Sequence, residues 1–138
     1  MIFGEDRNEL RQMYSTAWKK HGDRELLSPL ESQIAQVIDD HPEYHDAVSS
    51  DLDREFTVEG GETNPFLHMG LHLGIREQVA TDRPAGIAAI FRGLAGRIGD
   101  AHLAEHRMID CLAETLWEAQ SNDSAPDESQ YLERLRQL

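Results

Sequence analysis

Six of the seven histidines in the chain fall into three pairs with one spacing: His41 and His45, His68 and His72, His102 and His106. Residues four apart on an α-helix share a face, one turn from each other. Two imidazoles so placed can reach a single metal ion. Seven histidines scattered over 138 positions would give roughly 0.3 such pairs, so three stand well above composition. Imidazole nitrogen suits borderline divalent ions, and the expected cofactor is zinc, iron or nickel. The candidate metal ligands are therefore His68, His72, His102 and His106, with His41 and His45 as the third pair.

Each pair also has a structural reading, as hydrogen-bonded core or groove histidines. That reading is strongest for His41 and His45. Pro42 sets His41 near a helix end, so the two need not share a face. His21 reads as a solvated residue in a last helical turn, where its charge suits the dipole. Among carboxylates, Glu105 follows His102 by three residues and adjoins His106. It can serve as a ligand, as a partner that orients an imidazole, or as the general base of a catalytic site. Asp110, four residues beyond His106, could add an oxygen ligand. Glu77 is turned off the face of His72 and reads as a surface charge paired with Arg76 or Arg83. The run His102 to His106 matches the inverted zinc-protease pattern H-x-x-E-H, which arises easily in a helix rich in both residues.

Composition narrows the alternatives. Length suits one ordinary domain, residues 1–138. With 39% apolar and 28% charged residues, the chain is that of a soluble globular protein. A formal net charge of −13 repels phosphate backbones and argues against nucleic acid as a partner, while favouring cations nearby. No membrane span and no signal peptide are expected, and a cytoplasmic location follows most simply. The lone Cys111 excludes an internal disulfide and a cysteine zinc cluster, and reads as a small buried apolar residue. Trp18 and Trp117 read as core or interface anchors. No G-x-S-x-G and no G-x-x-x-x-G-K motif occurs, which disfavours those hydrolase and nucleotide-binding classes.

The elements that must position the histidines are helical. A first helix, near Glu5 to His21, carries Leu10, Met13, Tyr14, Ala17 and Trp18 on one stripe. Ser28, Pro29 and Glu31 compose a capping box for a second, with Leu30, Ile34, Val37 and Ile38 facing inward until Pro42 interrupts or restarts it. Residues 50–63 read as an acidic loop. Asn64-Pro65 starts a third helix to about Ala80. Pro84 starts a fourth, with Ile87, Ile90, Phe91, Leu94 and Ile98 inward, and Gly99 ends it. Asp100 caps a fifth to about Gln120. Residues 121–126 are a linker and Asp127 to Leu138 a short terminal helix. The fold expected is all-α, a helical bundle of about five helices plus a short C-terminal one.

Short links favour antiparallel neighbours, so the third and fifth helices each run antiparallel to the fourth and parallel to each other. His68 lies about four residues into its helix and His102 about two into its own, so at ~1.5 Å per residue the pairs are level within a few ångströms. Their stripes continue inward, His68 and His72 along Ile75 and Val79, His102 and His106 along Ile109, Ala113 and Leu116. Gly70 and Gly74 would let a neighbour approach closely.

From Asn64-Pro65-Phe66-Leu67-His68-Met69-Gly70-Leu71-His72 through Ile75-Arg76-Glu77-Gln78, the chain resembles a family of short bacterial proteins described as a domain of unknown function. The resemblance extends over His41-Pro42-Glu43-Tyr44-His45, Asp82 to Ile87 and Glu105-His106-Arg107-Met108, nearly the whole length. It implies a compact bacterial domain and transfers no catalytic residue. A looser, architectural similarity runs to hemerythrins and DinB-like bundles. The chain departs from them in lacking a clear His-x-x-x-Glu partner on its own helix, which argues against a di-iron oxygen carrier. Two functional readings follow. One is a metal-binding helical bundle, with metal-dependent hydrolysis or group transfer as its chemistry. The other is a non-enzymatic interaction or regulatory module, self-associating or binding a partner, with structural histidines.

Overall fold

The computed structural model describes residues 3–50, 52, 54, 56 and 64–138. The fold is all-α, and no strand occurs among the described residues. The chain forms two compact units, Met1–Gly70 and Leu71–Leu138. Unit 1 contains α1 (Phe3–Gly22), α2 (Pro29–Asp39), a 3-10 turn (Pro42–Tyr44), α3 (His45–Ser49) and the first turns of α4 (Pro65–Thr81). Unit 2 contains the remainder of α4, α5 (Ile87–Ile98), α6 (Ala101–Ser121) and α7 (Glu128–Arg136). No described helix is long and apolar enough to cross a membrane. The loop expected over 50–63 falls largely outside the described residues.

In unit 1 the expected capping box is present. Ser28 Oγ accepts from Glu31 N at 3.1 Å, and Glu31 Oε1 accepts from Ser28 N at 2.9 Å. Lys20 Nζ reaches the other Glu31 oxygen at 2.9 Å, and these contacts hold the Glu31 carboxyl below its ordinary pKa. α2 buries Ile34, Ala35, Val37 and Ile38. Pro42 restarts the chain as the 3-10 turn and the five-residue α3. On α1, Tyr14 and Ala17 are buried, with Phe66 edge-on to Tyr14 at 5.6 Å. The inward stripe is narrower than its apolar content suggested: Leu10, Met13 and, on α2, Leu30 are exposed.

In unit 2, Ile75, Ile87, Leu94, Ala104, Met108, Leu112, Tyr131 and Leu135 form one core. Gly99 closes α5 in the left-handed region (φ 78°), where a side chain would be strained, and Asp100 caps α6 through Leu103 N. Asp127 caps α7 in the same way. Two expectations are corrected. α5 begins at Ile87 rather than at Pro84, because Gly86 takes φ 102° and breaks the helix there. Asp82 Oδ1 instead accepts from Gly86 N and Ala88 N at 3.1 and 3.0 Å, satisfying the amides that a helix start leaves open. On α6 the buried face is Ala104, Glu105, Met108, Ile109, Cys111, Leu112, Thr115 and Ala119, while Ala113 and Leu116 are exposed. α6 is flanked by α5 and α7, and that pairing rotates the buried stripe away from Ala113 and Leu116. His102 and His106 consequently sit half-buried on its margin. Trp117 stands 67% exposed and is no core anchor.

Gly74 faces Leu112, yet a Cβ added there would meet its Cδ2 at 3.9 Å, an ordinary contact. Close approach does not require this glycine. Gly74→Ala should therefore stabilise the protein by about 0.5–1 kcal/mol through helix propensity and reduced unfolded-state entropy. Urea unfolding read by far-ultraviolet circular dichroism measures it.

Candidate metal centre

The three histidine pairs meet different fates. In unit 1, His41 and His45 both serve the C-terminal end of α2. His41 is fully buried, and its Nδ1–H donates to the Val37 carbonyl at 2.7 Å. His45 Nε2–H donates to the Ile38 carbonyl at 3.0 Å. A carbonyl can only accept, so each contact fixes the ring tautomer. The Val37 carbonyl is one that the ending helix leaves open, and the His41 ring occupies it, while the Ile38 carbonyl accepts both the His45 ring and the His41 backbone N–H at 2.9 Å. For His41 the basic nitrogen is then Nε2. The His41 ring stacks on Tyr44 at 5.4 Å and meets the His68 ring edge-on at 5.2 Å. His45 lies against Trp18 at 4.6 Å, and His21, exposed as expected, stacks on the same indole at 5.4 Å.

In unit 2 three imidazoles converge. The α4 ring of His72 stacks on His102 of α6 at 4.9 Å and lies 4.8 Å from His106, and His102 and His106 are 4.6 Å apart. One ring nitrogen from each lies within 4.8 Å of the others. An ion bound at ~2.0–2.1 Å from each would need separations of roughly 3.3–4 Å. Closure to that range would require the rings of His102 and His106, the two half-buried members, to turn towards His72.

His72 is the fixed member. It is fully buried, and its Nδ1 lies 2.7 Å from Glu105 Oε1. A carboxylate accepts only, so Nδ1 carries the proton and Nε2 keeps its lone pair. That is the tautomer in which a histidine coordinates metal through Nε2 while a carboxylate orients it from behind. Glu105 is itself held on α6 by Arg76, one turn beyond His72 on α4. Arg76 Nε donates to Oε2 at 3.0 Å and Oε1 at 3.2 Å, and a terminal guanidinium nitrogen donates to Oε1 at 3.1 Å. Burial pushes the Glu105 pKa upward, but hydrogen bonds from His72 and Arg76, with the charge of the guanidinium, outweigh it and hold the carboxyl below its usual range.

Arg76 is the participant that sequence reasoning missed, since it enters there only as one of two alternative partners, with Arg83, for Glu77. Its signal was available: Arg76 follows His72 by four residues and so shares its face, whereas Glu77 is exposed. Asp110 is exposed and lines an open groove of about 420 Å³ with His106, Arg107 and Glu114. Cys111 is buried as expected, with its thiol pKa raised by burial and by Asp110 and Glu114 nearby.

No curated protein and no solved structure matches the chain. A family model described as Domain of unknown function (DUF1841) matches residues 6–137, and the chain belongs to that family.

Proposed function

We infer that the protein binds a divalent transition-metal ion through His72, His102 and His106. The observation that carries this reading is the Glu105 contact on His72 Nδ1, at 2.7 Å, within a group of three imidazoles. A buried histidine needs only a hydrogen-bonding partner. Three rings gathered together, one with its tautomer fixed by a carboxylate, form a donor set suited to an ion. The set contains nitrogen alone, which favours zinc, nickel or iron(II) over magnesium or calcium. Held by these three imidazoles, such an ion would supply Lewis acidity, the chemistry of metal-dependent hydrolysis and group transfer. Glu105 belongs to this reading as the group that orients His72. A carboxylate clamped by a guanidinium and held acidic is a poor general base.

Elemental analysis of untagged protein, purified without chelator, tests the reading. The expected content is about one ion per chain, or uptake to that level on titration with zinc. His102→Ala and His106→Ala should lower it sharply, whereas His21→Ala should not. Absence of both metal and uptake would overturn the proposal. The pair spacing also nominates His41, His45 and His68 as donors, and alanine variants at these positions, read in the same titration, decide whether the ligand set extends to them.

A further inference from the structure

We propose that Arg76 is a positioning residue of this metal centre, keeping Glu105 out of the ion's coordination sphere so that the carboxylate orients His72 instead. The inference rests on the metal-binding reading above and adds to it a residue and a division of labour. Glu105 lies one residue from His106 and three from His102, on the helix that carries both. Left to itself, a carboxylate beside a divalent cation is a strong ligand. Three things hold it back. Arg76 reaches both of its oxygens, with Nε at 3.0 Å from Oε2 and at 3.2 Å from Oε1. The guanidinium also matches the negative charge that would otherwise be drawn to the ion. Finally, His72 Nδ1–H takes the remaining strong position on Oε1 at 2.7 Å. Glu105 is only 8% exposed, so water offers little competition for these contacts.

A planar, forked donor is needed for this. Lysine would supply the charge at a single point and lacks the planar fork that fixes the carboxylate's orientation. Arg76 therefore settles two properties of the centre at once. One is the direction of the His72 lone pair. The other is an all-nitrogen donor set from unit 2 that leaves the ion's double charge undiminished.

Cobalt(II) titration separates this role from a merely structural ion pair, because its visible spectrum reports the donor set. Wild-type protein, Arg76→Gln and Arg76→Lys are compared for cobalt affinity by chelator competition, for the cobalt spectrum, and for apo-protein folding by circular dichroism. Arg76→Gln should bind cobalt about 10–100-fold more weakly, the range seen when an outer partner of a ligating histidine is lost. Its visible bands should also shift as Glu105 moves onto the ion. Adding Glu105→Gln to Arg76→Gln should return the bands towards those of the wild type. Arg76→Lys preserves the charge beside Glu105 and serves if Arg76→Gln does not fold. It should show a smaller affinity loss with the same direction of band shift. A folded Arg76 variant with wild-type affinity and spectrum would overturn the proposal while leaving the metal site intact. Failure of the wild-type protein to take up cobalt or zinc would instead overturn the metal-binding reading, and this inference with it.

Discussion

His72→Ala should remove zinc-dependent stabilisation altogether and weaken the apo-protein by about 2–4 kcal/mol, the range for emptying a large buried side chain. The two losses have separate causes. His72 is fully buried in unit 2, so truncation opens a cavity and removes one donor from the Glu105 carboxylate. Arg76 retains its hold on Glu105, which moderates the second effect. The metal term is distinct. A ligand that binds only the folded state stabilises it by about 2.7 kcal/mol at 100 times its Kd. Wild-type protein should therefore show a midpoint of unfolding that climbs with zinc concentration. Loss of a ligand should exceed the roughly 10–100-fold effect of losing an outer partner, leaving His72→Ala with a flat response. Urea titrations with chelator, and at graded zinc, read both quantities on the same samples. A zinc response in His72→Ala equal to that of the wild type would remove His72 from the ligand set.

How far the sequence could be read depended on whether local periodicity or tertiary pairing made the decision. Helix ends were legible where one residue's chemistry fixes them. Ser28 with Glu31, Gly99, Asp100 and Asp127 all act as their types predict. Pro84 misled because proline permits a helix start without enforcing one, and Gly86 two residues later overrides it. The convergence of His72 with His102 and His106 was legible from spacing and helix length. The facing of α6 was not. Its apolar residues extend round much of the helix, and which arc is buried depends on where α5 and α7 lie. Ala113 and Leu116, placed inward by extrapolating from His102 and His106, came out exposed for that reason. His41 and His45 show the limit of spacing itself. The interval of four is real, but the chain leaves helical geometry at Pro42, and both rings turn back onto the end of α2. Arg76 was hidden because an arginine on a helix has several carboxylates within reach in sequence. Only the fold selects Glu105 over Glu77.

Arg11 is the strongest case of a residue with no signal in the sequence, and its removal should destabilise unit 1 by about 2–4 kcal/mol. It lies on α1 amid exposed positions, Leu10 and Gln12, yet is itself only 2% exposed. One terminal nitrogen donates to the carbonyl of Leu52 at 2.6 Å and to that of Arg54 at 2.8 Å. The guanidinium carbon sits 4.8 Å from the centre of the Phe66 ring and 5.7 Å from that of Phe56. A guanidinium stays charged at any accessible pH, so burial demands acceptors, and two carbonyls and two aromatic faces answer that demand. Hydrogen bonds to a charged group contribute about 1.5–3 kcal/mol each. Arg11→Leu preserves the apolar stem but leaves both carbonyls without that donor. Arg11→Lys restores the charge without the planar, weakly hydrated cation that meets both rings. The expected order of stability is wild type, then Arg11→Lys, then Arg11→Leu, with the lysine variant recovering less than half of the loss. Guanidinium chloride unfolding of the three proteins measures it. A change for Arg11→Leu within about 0.5 kcal/mol, the range of an ordinary surface substitution, would mean that solvent replaces the guanidinium at Leu52 and Arg54 without loss.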